Sequence, residues 1–211
     1  MDTQSAAVFM WVSNTVGGQP RCITRLHSNE ANAVYRLEFE TRPLILKTGP
    51  NLEREYVRLG WLEGRLPAPR PFGFTSRDGV DAVLMSVIDG ENLAKLRTVL
   101  PPATIIHRLA HALKCVHAVS IADWPFGGTG SVLVHGDACL PNFLYDGDAF
   151  SSCIDIGDMA LGEPEVDLSA AVWTLQYNLG PGHGRAFLEE YGWHDADDAT
   201  IEMLRLRYEQ G

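Results

Sequence analysis

Two short segments in the second half of the chain carry residue types that suit phosphoryl transfer from ATP. His135-Gly136-Asp137 is followed by Asn142, five residues after the aspartate. This spacing matches the catalytic-loop pattern H-x-D-x-x-x-x-N, in which the aspartate accepts the proton of the attacking hydroxyl. Asp155 follows Asn142 after thirteen residues, in the form D-x-G. One amide and one carboxylate are hard oxygen ligands for Mg²⁺, so the pattern predicts Asp137 as the base and Asn142 and Asp155 as metal ligands.

A lysine upstream supplies the cation that the phosphates of ATP require. Lys47 ends the apolar run Leu-Ile-Leu-Lys, which predicts a strand, and Glu55 follows on a predicted helix. A carboxylate on that helix can orient the lysine through an ion pair. Glu53 competes with Glu55 for this role, and about 200° of helical rotation separates the two, so only one can face the lysine.

The elements that must position these residues fall into two parts. Residues 1–88 predict a small antiparallel sheet with one helix, because a hairpin at 33–47, a helix at 53–63 and an apolar strand at 80–87 can be recognised. Residues 89–211 are mainly helical, with short strands around the two motifs. The helices are predicted at 103–119, 165–179, 184–192 and 197–209. The expected fold class is α+β with two lobes, 1–88 and 89–211.

Three segments are similar to the signature regions of bacterial aminoglycoside phosphotransferases: LEREYVRLGWLEGRLPAP, VHGDACLPNFLY and CIDIGDMALGEPEVDLS. HGDACLPN resembles the branch that modifies a 3′ or 3″ hydroxyl. The resemblance implies a protein-kinase-like fold, ATP and Mg²⁺ as cofactors, and drug modification that confers antibiotic resistance. It implies the roles given above for Asp137, Asn142, Asp155, Lys47 and Glu55.

The same resemblance assigns further residues to the nucleotide and to the acceptor. The segment LMSVIDGENL corresponds to the linker that contacts adenine, with the Ser86 carbonyl and the Ile88 amide as candidates. HSNEANAVYRL corresponds to the turn over the phosphates, where Ser28, Asn29 and Asn32 can donate hydrogen bonds. Asp167 corresponds to an aspartate that ties the catalytic loop together structurally.

Two departures from the family pattern leave the acceptor open. Only 17 residues separate His117 from His135, where the family inserts a helical wall of the antibiotic pocket, so the chain is shortened. Asp158 replaces the arginine usual in the 3′ branch. Asp158 and Glu209 are candidate contacts for a cationic acceptor. The alternatives are a kinase of a macrolide or another hydroxylated metabolite, and a nucleotide-binding protein without turnover.

Charge and composition restrict the partners. The net charge is −10, and from Asp123 onward sixteen carboxylates face three arginines, a net charge of −13 for that part. Such a surface disfavours nucleic acid and attracts a cationic small molecule. No apolar run is long enough to span a membrane, and no targeting segment is recognised, so a cytoplasmic monomer or dimer is expected. Four separated cysteines predict reduced thiols.

Several residues have an ordinary structural interpretation. His135 is expected to be a structural member of the catalytic loop. His107, His111 and His117 share one predicted helix without a carboxylate beside them, which favours core or surface roles over a metal site. Trp173 and Tyr177 are expected to pack. Asp195, Asp197 and Asp198 suit either a helix cap or an ammonium site.

Overall fold

The computed structural model describes residues 3–28, 32–77 and 79–210, and the chain divides into two compact units. The first, here called the sheet unit, comprises Met1–Glu63 and Pro69–Ile88. The second, here called the helical unit, comprises Gly64–Ala68 and Asp89–Gly211.

The sheet unit is built on a five-stranded antiparallel sheet in the order β1-β2-β3-β5-β4. The strands are β1 (Cys22–Ser28), β2 (Ala33–Glu38), β3 (Pro43–Gly49), β4 (Pro71–Arg77) and β5 (Val80–Ser86). The predicted hairpin and the strand that begins at Val80 are confirmed. β1 and β4 were not predicted, because β1 is exposed along its whole length and shows no buried face. β4 begins at a proline and lies at the sheet edge, where a missing N–H is tolerated.

Two helices accompany the sheet, α1 (Thr3–Val16) and α2 (Glu53–Leu62), so the prediction of a single helix was wrong. Val8 and Val12 of α1 stand one turn apart and are buried against the sheet. Polar residues made this helix difficult to recognise from the sequence. One of them, Ser13, forms a hydrogen bond within the helix, because its hydroxyl donates to the Phe9 carbonyl at 2.9 Å. The core of the unit combines the buried residues of α1 with those of β2, β3 and β5: Val8, Val12, Leu37, Leu44, Leu46, Ala82 and Leu84.

The helical unit contains five α-helices in its described residues: α3 (Leu93–Leu96), α4 (Pro102–His117), α5 (Glu165–Leu179), α6 (Gly184–Tyr191) and α7 (Asp198–Gln210). The four longer helices confirm the predicted ones, with ends shifted by at most two residues. α4 begins after Pro101, whose fixed φ suits a helix start. Its apolar stripe is fully buried at Ile105, Leu109 and Leu113, as helical spacing predicts.

Two small sheets in the helical unit support the loops that carry the motifs. β7 (Val132–Val134) pairs antiparallel with β10 (Ala160–Gly162), and β8 (Phe143–Asp146) lies between β6 (Glu91–Asn92) and β9 (Ala149–Cys153). β8 and β9 overlap the two predicted short strands, whereas the segment of β7 was recognised only as a short apolar stretch. Residues 118–131, which the structure describes throughout, form neither a helix nor a named strand. Within the described part of the chain, every helix is too short or too polar to cross a membrane.

Candidate active site

Asp137 lies in the loop between β7 and a short 3-10 helix, Leu140–Asn142. The Asn142 side-chain nitrogen donates to the Asp137 carboxylate and to its main-chain carbonyl, both at 2.9 Å. The second carboxylate oxygen accepts a hydrogen bond from the Tyr208 hydroxyl at 3.0 Å. Each carboxylate oxygen has two lone pairs, so both keep capacity for a further donor. The carboxylate is therefore fixed in orientation and still able to receive a proton.

His135 joins the loop of Asp137 to the loop of Asp155. Its side chain is fully buried, and Nε2 lies 3.0 Å from the Ile154 carbonyl. A carbonyl only accepts, so Nε2 carries the proton. Nδ1 then accepts from the Asp137 amide at 3.3 Å. Both ring nitrogens are engaged with the backbone, which supports the expected structural role of this histidine.

A buried carboxylate holds the start of the loop. Asp167, in the first turn of α5, is fully buried and accepts the amides of His135 at 2.7 Å and Gly136 at 2.9 Å. His117 at the end of α4 donates from Nε2 to the same carboxylate at 3.0 Å. The Tyr191 hydroxyl lies 2.7 Å from Nδ1 of His117 and completes the chain of contacts. Asp167 thus ties the loop to α4 and α5, in agreement with its expected structural role.

Gly136 allows the loop of Asp158 to approach the loop of Asp137. Its φ is 88°, a conformation that L side chains rarely adopt, and a Cβ there would lie 2.7 Å from the Asp158 carbonyl oxygen. The structure consequently brings the backbone of Asp158 beside the residue that precedes Asp137. The side chain of Asp158 is exposed, which leaves its carboxylate available to a cation in solution.

Asn142 and Asp155 stand at the open end of the β8–β9 hairpin. Phe143 pairs with Cys153, and the Ile154 amide donates to the Asn142 carbonyl at 2.9 Å. Because Nδ2 of Asn142 faces Asp137, its Oδ1 remains as the oxygen for a cation. Asp155 has a φ of 59°, which for a residue with a side chain costs about 1–2 kcal/mol. Such strain is concentrated at functional sites, and two hard oxygen donors fit Mg²⁺.

In the sheet unit, Lys47 of β3 forms an ion pair with Glu55 of α2. The lysine nitrogen lies 2.6 Å from Oε2 of Glu55, and the two side chains are 14% and 4% exposed. Glu53, the alternative partner, is exposed on the other side of the helix. Lys47 lies in the middle of the sheet, paired with Val34 on β2 and Val83 on β5. The ammonium group is therefore held on a rigid strand.

The other predicted nucleotide contacts lie in the sheet unit as well. Ser28 is the exposed last residue of β1, and Asn32 directly precedes β2. Ser86 ends β5, where its amide donates to the Arg70 carbonyl and its hydroxyl accepts from the Arg70 amide, both at 2.9 Å. Ile88 is the last residue of the unit. Asn29 lies outside the described residues.

The C-terminal helix α7 contributes a residue that sequence reasoning missed. Tyr208 donates to Asp137 and lies 3.4 Å from the Cys139 sulfur. Burial raises the pKa of the Tyr208 hydroxyl, and the neighbouring Cys139 and Asp137 raise it further, so it stays a donor. Glu209, predicted to contact the acceptor, pairs with Arg205 at 2.5 Å on the exposed side of the helix. Helical spacing on α7 gave no signal for Tyr208, because its partner is 71 residues away.

The remaining acidic residues and the histidines have separate partners. Asp197 caps α7 by accepting from the Thr200 hydroxyl at 2.7 Å and from the Thr200 amide at 2.8 Å, and these hydrogen bonds lower the pKa of that carboxyl. Asp198 pairs with Arg185. Asp195 is exposed. His107 contacts Glu190, His111 contacts the Tyr145 hydroxyl, and His117 contacts Asp167. No group of three or more His, Cys, Asp or Glu side chains that could hold a metal occurs among the described residues.

The chain is similar in sequence to known proteins. A model of the phosphotransferase enzyme family (APH) matches residues 23–132 and 121–204. The aminoglycoside 3′-phosphotransferase of Niallia circulans is 24% identical over 221 residues, covering 80% of this chain and 84% of that protein. The aminoglycoside 3′-phosphotransferase of Enterococcus faecalis is 32% identical over 138 residues, covering 61% of this chain and 52% of that protein.

A solved structure resembles the chain over nearly its whole length. It is a thermostable mutant of aminoglycoside phosphotransferase APH(4)-Ia in a ternary complex with AMP-PNP and hygromycin B. The match covers 97% of this chain and 90% of that one, with a TM-score of 0.72 and 13% identity. At this identity the likeness shows the fold alone. The predicted α+β, protein-kinase-like fold is thereby confirmed.

Proposed function

Because this chain belongs to the phosphotransferase enzyme family, we propose that it transfers the γ-phosphoryl group of ATP to a hydroxyl of an aminoglycoside or a similar cationic small molecule. The contact between Asp137 and Asn142 carries this proposal. It fixes the orientation of a carboxylate that can accept the proton of an acceptor hydroxyl, and it joins that carboxylate to an amide that can serve as a metal ligand.

Each side chain then has one role. Asp137 accepts the proton of the acceptor hydroxyl as the phosphoryl group transfers in line. Asn142 and Asp155 are the residues that would hold Mg²⁺, which neutralises charge that develops on the phosphates. Lys47 anchors the phosphates, and Glu55 keeps its ammonium group in place. Ser28, Asn29 and Asn32 donate to the phosphates, while the Ser86 carbonyl and the Ile88 amide contact adenine.

The charge of the helical unit and the relatives together support an aminoglycoside as acceptor. Two relatives are aminoglycoside 3′-phosphotransferases, and APH(4)-Ia was solved with an ATP analogue and an aminoglycoside. Residues from Asp123 onward carry a net charge of −13, which attracts a polyamine. Asp158 adds an exposed carboxylate next to the loop of the base. Since residues 118–131 contain no helical wall, the pocket for the acceptor is expected to be more open than in the relatives.

Acceptor-stimulated ADP release tests the proposal. We expect kanamycin B to stimulate release and tobramycin, its 3′-deoxy form, to fail if the 3′ hydroxyl is the target. Asp137→Asn removes the base without changing the shape of the side chain, and it should lower turnover by about 10²–10⁴-fold. The nucleotide contacts are not altered, so ATP affinity should be preserved.

A matched control is Asp146→Asn, at the exposed turn of the β8–β9 hairpin, which should leave turnover unchanged. Undiminished turnover in Asp137→Asn would remove Asp137 from the mechanism. Stimulation by both drugs would move the target to another hydroxyl. If aminoglycosides and macrolides fail but amino sugars succeed, the chain is a kinase of a different metabolite. Tight ATP binding without stimulation by any acceptor would identify a nucleotide-binding protein.

A further inference from the structure

Three aromatic side chains of the helical unit form a continuous row that ends at the base. Tyr177 stacks on Trp173 with a centroid distance of 5.2 Å and an interplanar angle of 10°. Trp173 contacts the ring of Tyr208 at 5.0 Å and 42°. The Tyr208 hydroxyl donates to Asp137 at 3.0 Å. We call these three residues the aromatic row.

The exposure of the row changes along its length. Tyr177 is 76% exposed, whereas Trp173 and Tyr208 are partly buried between α5 and α7. Trp173 and Tyr177 pack on each other, as expected, and Tyr177 does so at the surface of the unit. Its ring lies flat on Trp173 and presents its other face to solvent, an arrangement that contributes little buried apolar area. A stabilising role alone does not account for an exposed ring held in this way.

The row differs from the other exposed apolar residues of the helical unit. Val99, Met203 and Leu206 are exposed aliphatic side chains. Tyr177 is linked to Asp137 through only two further rings. Aromatic faces bind cations and the C–H faces of sugar rings, because the π electrons carry a negative potential. The surrounding unit is strongly acidic, which favours a ligand with ammonium groups.

We propose that the aromatic row is an acceptor-binding surface for a cationic amino sugar, with Tyr177 as the outer contact and Tyr208 as the link to the base. The inference rests on the proposed function and assigns residues and contact chemistry to its acceptor site. An ammonium-bearing ring stacked on the exposed face of Tyr177 would occupy the outer end of the row, whose inner end contacts Asp137. The row thus supplies a flat, preformed surface for the acceptor.

Steady-state kinetics of the full-length protein with kanamycin B test this assignment. Tyr177→Ala should raise the KM for the drug about tenfold, the scale of one cation–π contact that becomes desolvated on binding. The KM for ATP and the value of kcat should remain within about twofold, because Tyr177 touches neither the nucleotide nor the base. Tyr177→Phe keeps the ring and should restore the KM of the original protein. Met203→Ala, which removes an exposed apolar side chain of α7, is the matched control.

Each outcome bears on a separate claim. An unchanged KM for kanamycin B in Tyr177→Ala would overturn the aromatic row as an acceptor surface while leaving the phosphotransferase proposal intact. If the original protein shows no turnover with kanamycin B, calorimetric titration with the same drug replaces kinetics. Loss of binding in Tyr177→Ala and its recovery in Tyr177→Phe would then support the surface. Absent binding to the original protein, or equal binding to all variants, would refute it.

Discussion

Variants of the buried ion pair between Lys47 and Glu55 can show separately what Lys47 contributes to ATP binding and what the pair contributes to the stability of the protein. The pair lies wholly within the sheet unit, at 2.6 Å, with side chains that are 14% and 4% exposed. Lys47→Met removes the cation and keeps most of the volume. It leaves a nearly buried carboxylate without its principal counter-charge, which is a costly state. Glu55→Leu removes the carboxylate and keeps the Lys47 cation. The double variant replaces both charges with apolar groups.

The expected magnitudes follow from burial. Removing one partner of a buried pair costs about 3–5 kcal/mol, whereas replacing both is close to neutral. The double variant should therefore recover most of the stability lost by either single variant. The pair between Arg21 and Glu40 provides the control, since it has a similar distance, 2.5 Å, but exposures of 66% and 80%. The same double-mutant cycle, applied to Arg21 and Glu40, should give a coupling free energy below about 1 kcal/mol.

Urea unfolding followed by circular dichroism measures the coupling, and ATP titration of the folded variants measures anchoring. Lys47→Met should weaken ATP binding in both the single and the double variant, although only the double variant regains stability. Strictly additive losses in the Lys47 and Glu55 cycle would refute the claim that the two charges depend on each other. Normal ATP affinity in the double variant would remove Lys47 from the nucleotide site.

Two further predictions concern the helical unit. Tyr208→Phe removes only the hydroxyl that donates to Asp137. The value of kcat should fall about tenfold, the scale of one hydrogen bond of about 1.5 kcal/mol to a charged group, and the KM for the acceptor should be unchanged. An equally large rise in that KM would point to a role in acceptor binding instead. Thiol labelling at pH 9 should modify the exposed Cys22 in the folded protein but not Cys139 or Cys153, because burial raises the pKa of each of the latter thiols to about 12 and keeps them protonated. Raising the pH toward 12 should be needed before the buried pair reacts in the folded state, and rapid reaction of all three at pH 9 would contradict their burial.

Spacing along the chain was sufficient to place Asp137 and Asn142 in one loop. Asp137 and Asn142 are close in sequence, so their contact follows from the local turn. The longer helices were predictable for a similar reason, because the apolar stripe of α4 repeats with helical period over sixteen residues. Where the local sequence pattern and the tertiary packing favour the same structure, a single sequence is enough to predict that structure.

Contacts between distant segments were beyond sequence reasoning. The preference for Glu55 over Glu53 depends on the rotation of α2 relative to β3, which no spacing within the helix reveals. Tyr208 reaches Asp137 across 71 residues. α1 escaped prediction because its buried face comprises mainly Val8 and Val12, both poor helix formers. In each of these three cases the structure depends on how a helix packs against another element.

The distribution of roles between the two units has a consequence for mutational analysis. The proposed base, both proposed metal ligands and the aromatic row belong to the helical unit, whereas the proposed phosphate anchor belongs to the sheet unit. Within the helical unit, His135 and Asp167 fix the loops of Asp137 and Asp155 through buried hydrogen bonds. Substitutions that alter the acceptor preference should therefore be found around Tyr177 and Asp158, and they should leave ATP affinity unchanged. A variant at Tyr177 that altered ATP affinity as strongly as acceptor affinity would show that this division of roles is wrong.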